Sequence, residues 1–200
     1  MTNSEKVIYT KDYINISREE LINKLSQMIS KSRFEHVLRV EKAAIQLAKK
    51  YGADIEKVSI AALLHDIAKE QPDEEMRDLI ISENLNLNLL NYGSEVWHGP
   101  VGAILAKREF FVSDETILDT IRKHTVGGRK LSLTAQIIFV ADYIEEGRDF
   151  PKVQQARELA DESLEKAIKY KLKETIKFLI NKEEKIFPET IESYNSWIKK

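Results

Sequence analysis

The chain has 200 residues, and 31 Lys and Arg against 33 Asp and Glu give a formal net charge of -2. This balance provides no overall field for nucleic acid or an anionic membrane surface, and the absence of cysteine excludes disulfide scaffolds, zinc fingers, iron–sulfur clusters and thiol nucleophiles. Because only 7 Gly and 4 Pro interrupt a chain that is 42% hydrophobic and 32% charged, the composition predicts an all-α protein with one core.

Residues 1–16 show no helical periodicity, and we expect them to form an arm that is loose or strapped onto the surface. The first helices are marked by S-x-x-E motifs at Ser17 and Ser32, which fit a capping box in which each side chain satisfies an orphan backbone donor. The helix that follows Ser32 is expected to end at Gly52, which stops it.

Four further helices are predicted in the middle of the chain. Asp54 is expected to cap a helix that reaches Lys69, and a short helix over 73–81 follows Pro72. Pro100 is expected in the first turn of the next helix, where its missing N–H costs nothing. The last of the four begins at a capping aspartate, Asp114, and ends near His124.

The loop TVGGRK separates these helices from the last third of the chain. Ser132 is expected to cap an apolar helix that Gly147 ends. Two charged amphipathic helices are expected to finish the chain, over 151–171 and 174–199.

No apolar run approaches the roughly 18 residues that a membrane span needs; the longest are IAALL and IIFVA. The first 20 residues are polar and lack the apolar stretch of a signal peptide. We therefore expect a cytoplasmic protein whose partners include neither a membrane nor a nucleic acid.

Two carboxylates stand in unusually apolar surroundings. Asp66 follows IAALL and His65, and Asp142 follows IIFVA. A buried carboxylate without a counter-charge is costly. Lys69 offers a simple ion pair to Asp66, but no Arg or Lys lies within a helical turn of Asp142. Taken singly, a histidine among apolar residues is usually a hydrogen-bonded core residue. A metal held by neutral imidazoles and carboxylates is nevertheless the economical solution for both sites.

The order His36, His65-Asp66 and Asp142 resembles the HD-domain metal-dependent phosphohydrolases. Five motifs narrow the resemblance to the YqeK family of HD proteins, over roughly residues 32–153: RFEHVLRV, LLHDIAK, WHGPVGA, RKHTVGG and IIFVADYIEEGRDFP.

This resemblance implies an HD-domain helical bundle as a single domain over 17–200. Its metal-site core would occupy residues 32–153, with additional C-terminal helices over 154–200. The family's activity is symmetrical hydrolysis of dinucleoside tetraphosphates, such as diadenosine tetraphosphate to two ADP, by a metal-bound hydroxide at a dinuclear site. The resemblance further implies two metal ions, iron in the first place, with Mn, Co, Ni or Zn also compatible with the donor types.

The ligands carried over by position are His36, His65, Asp66, His98, His124 and Asp142. Six protein ligands suit two ions that share a bridge. Because a carboxylate offers two oxygens at different angles, Asp66 is expected to be the bridge. The first ion would then take His36, His65 and Asp142, and the remaining two histidines would hold the second.

Catalytic roles are expected for Asp66 and Lys69. The candidates for nucleotide contacts are Arg33, Asp66, Lys69, Thr125, Gly127, Tyr143 and Arg148. Cationic side chains can bind phosphates, the loop after His124 can offer backbone donors, and a tyrosine can stack on a base. Each of these has an ordinary alternative. Lys69 could be an exposed lysine at a helix end and Arg148 a solvated loop arginine, while Thr125 and Gly127 could belong to a plain connecting loop and Tyr143 to the core.

Two other functions stay open at this point. One is another HD-type phosphohydrolase, acting on a nucleoside monophosphate, a deoxynucleotide triphosphate or a cyclic dinucleotide; the other is a non-catalytic nucleotide or metal sensor. The partner expected in the first case is a small-molecule dinucleotide, and a homodimer is possible.

Overall fold

A computed structural model describes residues 7–198 of the chain, which form ten α-helices and no β-strand. The all-α prediction is confirmed. The helices are α1 (Arg18–Met28), α2 (Lys31–Tyr51), α3 (Ile55–Leu64), α4 (Asp73–Ser82), α5 (Ser94–Glu109), α6 (Glu115–Lys123), α7 (Leu133–Ile144), α8 (Val153–Glu162), α9 (Leu164–Asn181) and α10 (Pro188–Ile198). A short 3-10 helix, Leu87–Asn91, lies between α4 and α5.

Most predicted helix starts coincide with observed N-caps. Ser17 forms a capping box, and the side chains of Asp54, Asp114 and Ser132 each accept a backbone N–H of the helix that they begin. The prediction at Ser32 is wrong, because Ser30 caps α2. The cap is fixed by a tertiary contact that spacing does not reveal, since the N–H and hydroxyl of Ser30 both donate to Glu70, at 2.7 and 2.6 Å.

Three predicted boundaries in the middle of the chain also shift. Helix α3 ends at Leu64, and the chain continues through turns rather than as helix to Lys69. Helix α5 begins at Ser94, so Pro100 lies in its second turn and not its first. Helix α7 ends at Ile144, before the expected stop at Gly147.

The predicted helix over 151–171 is wrong, because Ser163 divides it into α8 and α9. Ser163 has an extended backbone, with φ -163° and ψ 129°, and its side chain accepts the N–H of Lys166 as the cap of α9. Serine competes in this way with the helical hydrogen bonds of its own backbone. A second break, at 182–187, separates α9 from α10, so the predicted helix over 174–199 is also interrupted.

The described part of the N-terminal arm, residues 7–16, is strapped onto α3. The Tyr9 hydroxyl lies 2.8 Å from the hydroxyl of Ser59, and the N–H of Thr10 donates to Glu56 at 2.9 Å. Ile14 is buried in the core. Residues 1–6 of the predicted arm lie outside the described residues.

Helices α2, α3, α6 and α7 surround the main apolar core, and α9 packs on α7 from the C-terminal side. A second apolar cluster, which includes Met76, Trp97 and Phe187, lies beside α4 and α5. Across residues 7–198, no helix combines the length and the apolar character needed to cross a membrane. The candidate site lies where the ends of α3 and α6 meet parts of α2, α5 and α7.

Candidate metal centre

The six expected ligand side chains come together from five helices. His36 lies in α2, His98 in α5 and Asp142 in α7, while His65 and His124 occupy the C-cap positions of α3 and α6. The four histidines and Asp66 are all buried, with at most 6% of each residue exposed. Residues scattered from 36 to 142 therefore form one internal cluster of imidazoles and carboxylates.

Gly99 allows α5 and α6 to approach closely enough to bring His98 and His124 together. A Cβ atom on Gly99 would lie 2.8 Å from the carbonyl oxygen of Arg122, a distance that real Cβ atoms essentially never show. The close contact sets His98 against His124, whose ring centroids lie 4.8 Å apart.

Asp66 occupies the centre of the cluster, with one carboxylate oxygen toward each pair of histidines. Its Oδ2 lies 3.6 Å from Nε2 of His36 and 3.5 Å from Nε2 of His65. Its Oδ1 lies 3.4 Å from Nε2 of His98 and 3.3 Å from Nε2 of His124. Asp142 Oδ1 extends the first group, at 3.3 Å from Nε2 of His36 and 3.9 Å from Nε2 of His65.

Every histidine of the cluster has an acceptor near its Nδ1 atom. The pairs are His36 with Glu145 Oε1 at 3.2 Å, His65 with the Ala62 carbonyl at 2.7 Å, His98 with the Ser94 carbonyl at 3.2 Å, and His124 with the Ile121 carbonyl at 2.8 Å. Because carbonyl and carboxylate oxygens only accept, each Nδ1 carries a hydrogen, and a histidine of this kind binds a metal through its other nitrogen, Nε2. The Nε2 lone pairs are then left facing the centre, which is the arrangement of metal-ligating histidines.

The unsatisfied atoms of the cluster fit a metal. Among the described residues, the buried Nε2 atoms of His36 and His65 have no hydrogen-bond partner. The Nε2 atoms of His98 and His124 lie 3.0 Å apart, and two lone pairs at that distance repel. Thr125 Oγ1 lies 3.0 and 3.1 Å from these two atoms, but a hydroxyl donates only one hydrogen. The donor set, imidazole with carboxylate, suits first-row metal ions.

These atoms divide into two groups of possible metal ligands, His36, His65 and Asp66 on one side and Asp66, His98 and His124 on the other. Burial lowers the pKa of His65 to about 4 and lowers the pKa of His124. Both rings are therefore neutral near pH 7, the protonation state that a metal ligand requires.

The counter-charge of Asp66 differs from the expected one. Arg33 Nη1 lies 2.6 Å from Asp66 Oδ2, while Lys69 pairs with Glu95 on the surface. The simple ion pair between Lys69 and Asp66 is therefore not formed, because the chain leaves the helical path after Leu64.

Asp142 is paired with two cations that lie beyond one helical turn in sequence. Arg148 Nη2 lies 2.7 Å from Oδ1, so this side chain folds back toward the site as expected. Lys171 of α9 lies 3.5 Å from Oδ2 and is itself buried, with its ammonium donating to the Phe139 carbonyl at 2.7 Å. Burial alone would raise the pKa of Asp142, but the charges of Lys171 and Arg148 hold that pKa well below its ordinary value.

Sequence reasoning missed Glu145 as well as Lys171. Glu145 is only 2% exposed and accepts from His36 Nδ1, from Arg39 Nε at 2.7 Å and from the Gly147 N–H at 2.6 Å. Burial would raise its pKa, whereas the Arg39 hydrogen bond and the Gly147 N–H lower it. Its position inside the motif IIFVADYIEEGRDFP was the available signal, but the sequence does not tell it from the exposed Glu146.

The other nucleotide-contact candidates have mixed placements. Tyr143 lines a cavity next to Asp142 and packs against Phe150, with ring centroids 4.8 Å apart. Gly127 does not offer the expected accessible donor, because its N–H donates to the Lys123 carbonyl at 2.9 Å. A Cβ there would lie 2.5 Å from the Ser193 hydroxyl, so this glycine serves the packing of α10.

Comparison with known proteins matches residues 33–147 to the HD domain. The chain is 43% identical over 183 residues to a protein of Bacillus subtilis (strain 168) named "Bis(5'-nucleosyl)-tetraphosphatase, symmetrical", covering 92% of this chain and 98% of that protein. A Halalkalibacterium halodurans protein of the same name is 40% identical over 180 residues, covering 90% of this chain and 96% of that protein.

A crystal structure of a similar protein from Clostridium acetobutylicum superimposes with a TM-score of 0.84 at 37% identity. The match covers 92% of this chain and 97% of that one, which is described as a predicted HD superfamily hydrolase involved in NAD metabolism.

Proposed function

Since the chain belongs to the HD domain family, and within it to the family of the symmetrical bis(5'-nucleosyl)-tetraphosphatases, we propose that it hydrolyses dinucleoside tetraphosphates symmetrically. The reaction consumes one water, breaks the central P–O–P linkage and releases two nucleoside diphosphates, which are two ADP when the substrate is diadenosine tetraphosphate.

The observation that carries the proposal is the central placement of Asp66. Each of its oxygens lies within 3.6 Å of the Nε2 atoms of two histidines. A single carboxylate flanked in this way is suited to two cations and to a substrate with a long polyphosphate bridge, whose negative charge needs more than one cation. A one-ion site would leave half of these donors unused.

His36, His65 and Asp142 would hold the first ion together with Asp66, and His98 and His124 would hold the second, also with Asp66. When bound, two divalent ions would supply positive charge to the phosphate oxygens and would acidify water near neutral pH. We propose iron as the native metal because the resemblance to the YqeK family implies it; the imidazole and carboxylate donors are equally compatible with Mn, Co, Ni and Zn.

The side chains at the rim of the cluster would bind and orient the phosphates. Arg33 and Arg148 pair with Asp66 and Asp142, and their side chains remain partly exposed, at 25% and 38%. A guanidinium can hold a phosphate through two parallel hydrogen bonds. Lys69 is 20% exposed and, through its partner Glu95, lies next to the cavity beside Asp142. We propose that it provides a further phosphate contact.

Thr125 is proposed to act at the other side of the site. Its hydroxyl lies between the rings of His98 and His124 and is only partly buried. It is placed to hydrogen-bond a phosphate oxygen or an attacking water. The small dinucleotide is the proposed partner, and the cytoplasm is the proposed place of action.

The test is elemental analysis of protein purified without oxygen or chelator, followed by identification of the products from diadenosine tetraphosphate. Two ions per chain and ADP as the sole nucleotide product support the proposal. Release of ATP with AMP would contradict symmetrical cleavage. One ion with phosphate released from a mononucleotide would favour another HD phosphohydrolase, and nucleotide binding without any product would favour a sensor.

A further inference from the structure

A cavity of about 670 Å³ opens directly beside the metal-centre cluster. Asp142 and Arg148 line it on the side of the cluster, and Tyr143, Phe150 and Phe178 line it farther out. Its size falls in the usual range of small-molecule sites, and a largely apolar wall with a few polar groups is typical of them. The cavity is therefore continuous with the place where the phosphates are proposed to bind.

Helix α9 forms one wall of this cavity with a single face. Lys171, Glu174, Thr175 and Phe178 follow the i, i+3, i+4, i+7 spacing that aligns side chains on one side of a helix. Lys171 lies at the inner end, 3.5 Å from Asp142 Oδ2, and the other three line the cavity. Phe178 is seven residues farther on, roughly 10 Å along the helix axis. The face thus leads outward from the metal centre over a length comparable to that of a nucleoside.

The aromatic side chains of the cavity are placed for stacking. Tyr143 and Phe150 form a corner, with ring centroids 4.8 Å apart and an interplanar angle of 55°. Phe178 is 58% exposed at the mouth, although it is a large apolar side chain. An exposed aromatic beside a cavity indicates a binding surface, and stacking on aromatic side chains is a general way to hold a base.

The charges of the cavity disfavour a second phosphate site. Its charged lining residues are three carboxylates, Glu95, Asp142 and Glu174, and one guanidinium, Arg148. Arg148 lies at the inner end, where it pairs with Asp142. Glu95 pairs with Lys69, and Glu174 pairs with Lys177 and Lys152, so a phosphate farther out would have to displace one of these carboxylates from its lysine, whereas a neutral ligand with hydrogen-bond donors would not. Glu174 and Thr175 offer oxygen acceptors to such donors.

We propose that this cavity binds one nucleoside of the substrate, with its base stacked on Phe178 and the Tyr143–Phe150 corner; this inference rests on the proposed function. The phosphates remain at the metal centre, and the nucleoside extends along α9. Phe150 and α9 lie outside the residues 33–147 that match the HD domain. Recognition of the nucleoside is therefore shared between Tyr143 of the HD domain and residues beyond it, Phe150 and α9, while the chemistry is assigned to the HD domain.

The test compares binding of ADP and of inorganic pyrophosphate to the metal-loaded full chain by isothermal titration calorimetry. Phe178→Ala is expected to weaken ADP binding by about tenfold or more, because one stacking contact is lost. Pyrophosphate binding should change less than about twofold, because pyrophosphate has no base to stack. Phe178→Tyr retains an aromatic ring and should bind ADP like the native protein.

Ile180→Ala is the matched control, because Ile180 lies in the same helix, is 59% exposed and does not line the cavity. It should leave both affinities unchanged. Native ADP affinity in Phe178→Ala would overturn the inference, and so would an equal loss of ADP and pyrophosphate binding. If the selective loss of ADP binding is found but the native protein does not cleave dinucleoside tetraphosphates, the nucleoside site stands and the proposed function falls.

Discussion

The two halves of the metal centre share Asp66 but are built differently around it. The Asp142 half consists of His36, His65 and Asp142; the Thr125 half consists of His98, His124 and Thr125. The first half has a carboxylate of its own, held by Arg148 and Lys171. The second has a neutral hydroxyl in the corresponding place, 3.0 Å from His98 Nε2.

The hydrogen-bond acceptors behind the histidines also differ between the two halves. His36 donates its Nδ1 hydrogen to the buried carboxylate of Glu145, whereas His98 and His124 donate theirs to backbone carbonyls. A carboxylate behind a ligating histidine fixes the ring and increases its basicity. We therefore expect the Asp142 half to hold a divalent ion more tightly, and the Thr125 half to leave more room for water and phosphate oxygens.

The largest expected effect comes from removing the carboxylate that the halves share. Asp66→Asn keeps the size of the side chain but loses the charge that faces both histidine pairs. We expect loss of both ions and a fall in hydrolysis of at least about 100-fold, since even an outer partner of a ligand costs 10–100-fold. Metal content and ADP production measure the effect.

Asp119→Asn is a suitable control for that experiment, because Asp119 pairs with Arg122 and Lys123 on the outside of α6. It should keep native metal content. A fully loaded and active Asp66→Asn protein would remove the reason for treating the two halves as one centre.

Separate substitutions in each half test whether their affinities differ. His124→Gln should lose the weaker ion and keep one ion per chain in the Asp142 half. Asp142→Asn should weaken the tighter site and therefore cause the larger drop in the first binding constant for a divalent ion. Titration of the metal-free variants with Fe²⁺ or Mn²⁺ measures both, and the opposite ranking would reverse the assignment of the tighter half.

Removing the charge of Glu145, the carboxylate that accepts the hydrogen bond of His36, should have a smaller effect on metal binding. Glu145→Gln is expected to reduce metal affinity in the Asp142 half by about 10- to 100-fold and to leave the Thr125 half unaffected. Glu146→Gln is the matched control, because Glu146 is the next residue, is exposed and pairs with Lys42. Equal metal affinities in the two variants would show that Glu145 does not act through His36.

The last expected effect is on stability and depends on pH. Burial lowers the pKa of His65 to about 4, while an unfolded histidine titrates near 6.5. As the pH falls from about 6.5 to about 4, the unfolded chain takes up this proton first, so the free energy of unfolding of the metal-free protein decreases. The loss from His65 is up to about 3 kcal/mol.

Urea denaturation of the metal-free protein at pH 7 and at pH 4.5 measures this loss. The pKa of His124 is lowered by burial as well, so both halves contribute in the same direction. An unchanged midpoint would mean that the rings are not held neutral by burial. Metal-loaded protein should resist the acidification until protons displace the ions.

Local signals in the sequence were sufficient for most of the helices. Ser17, Asp54, Asp114 and Ser132 act through hydrogen bonds within three residues, so their capping can be recognised from spacing alone. The motifs around the six imidazole and carboxylate side chains were equally local, and their order along the chain was enough to nominate them. Their roles as metal ligands are a prediction that metal analysis tests.

The ion pairs that neutralise Asp66 and Asp142 could not be predicted from local signals in the sequence. Arg33 meets Asp66 across 33 residues, and Lys171 meets Asp142 across 29. Spacing along one helix suggested Lys69 instead, but that helix ends at Leu64. Similarly, the contact of Ser30 with Glu70 moved the start of α2 away from Ser32.

The sequence by itself determined where most of the helices begin, since capping and periodicity depend on neighbours a few residues away. It also indicated the chemistry of the centre, because a carboxylate in an apolar segment needs a cation whatever the fold. Only the tertiary structure decided which oxygen faces which ring, that Glu145 is buried while Glu146 is exposed, and that α9 forms a wall beside the site. These depend on packing between segments far apart in the chain, where the close contact at Gly99 or a buried lysine sets the geometry.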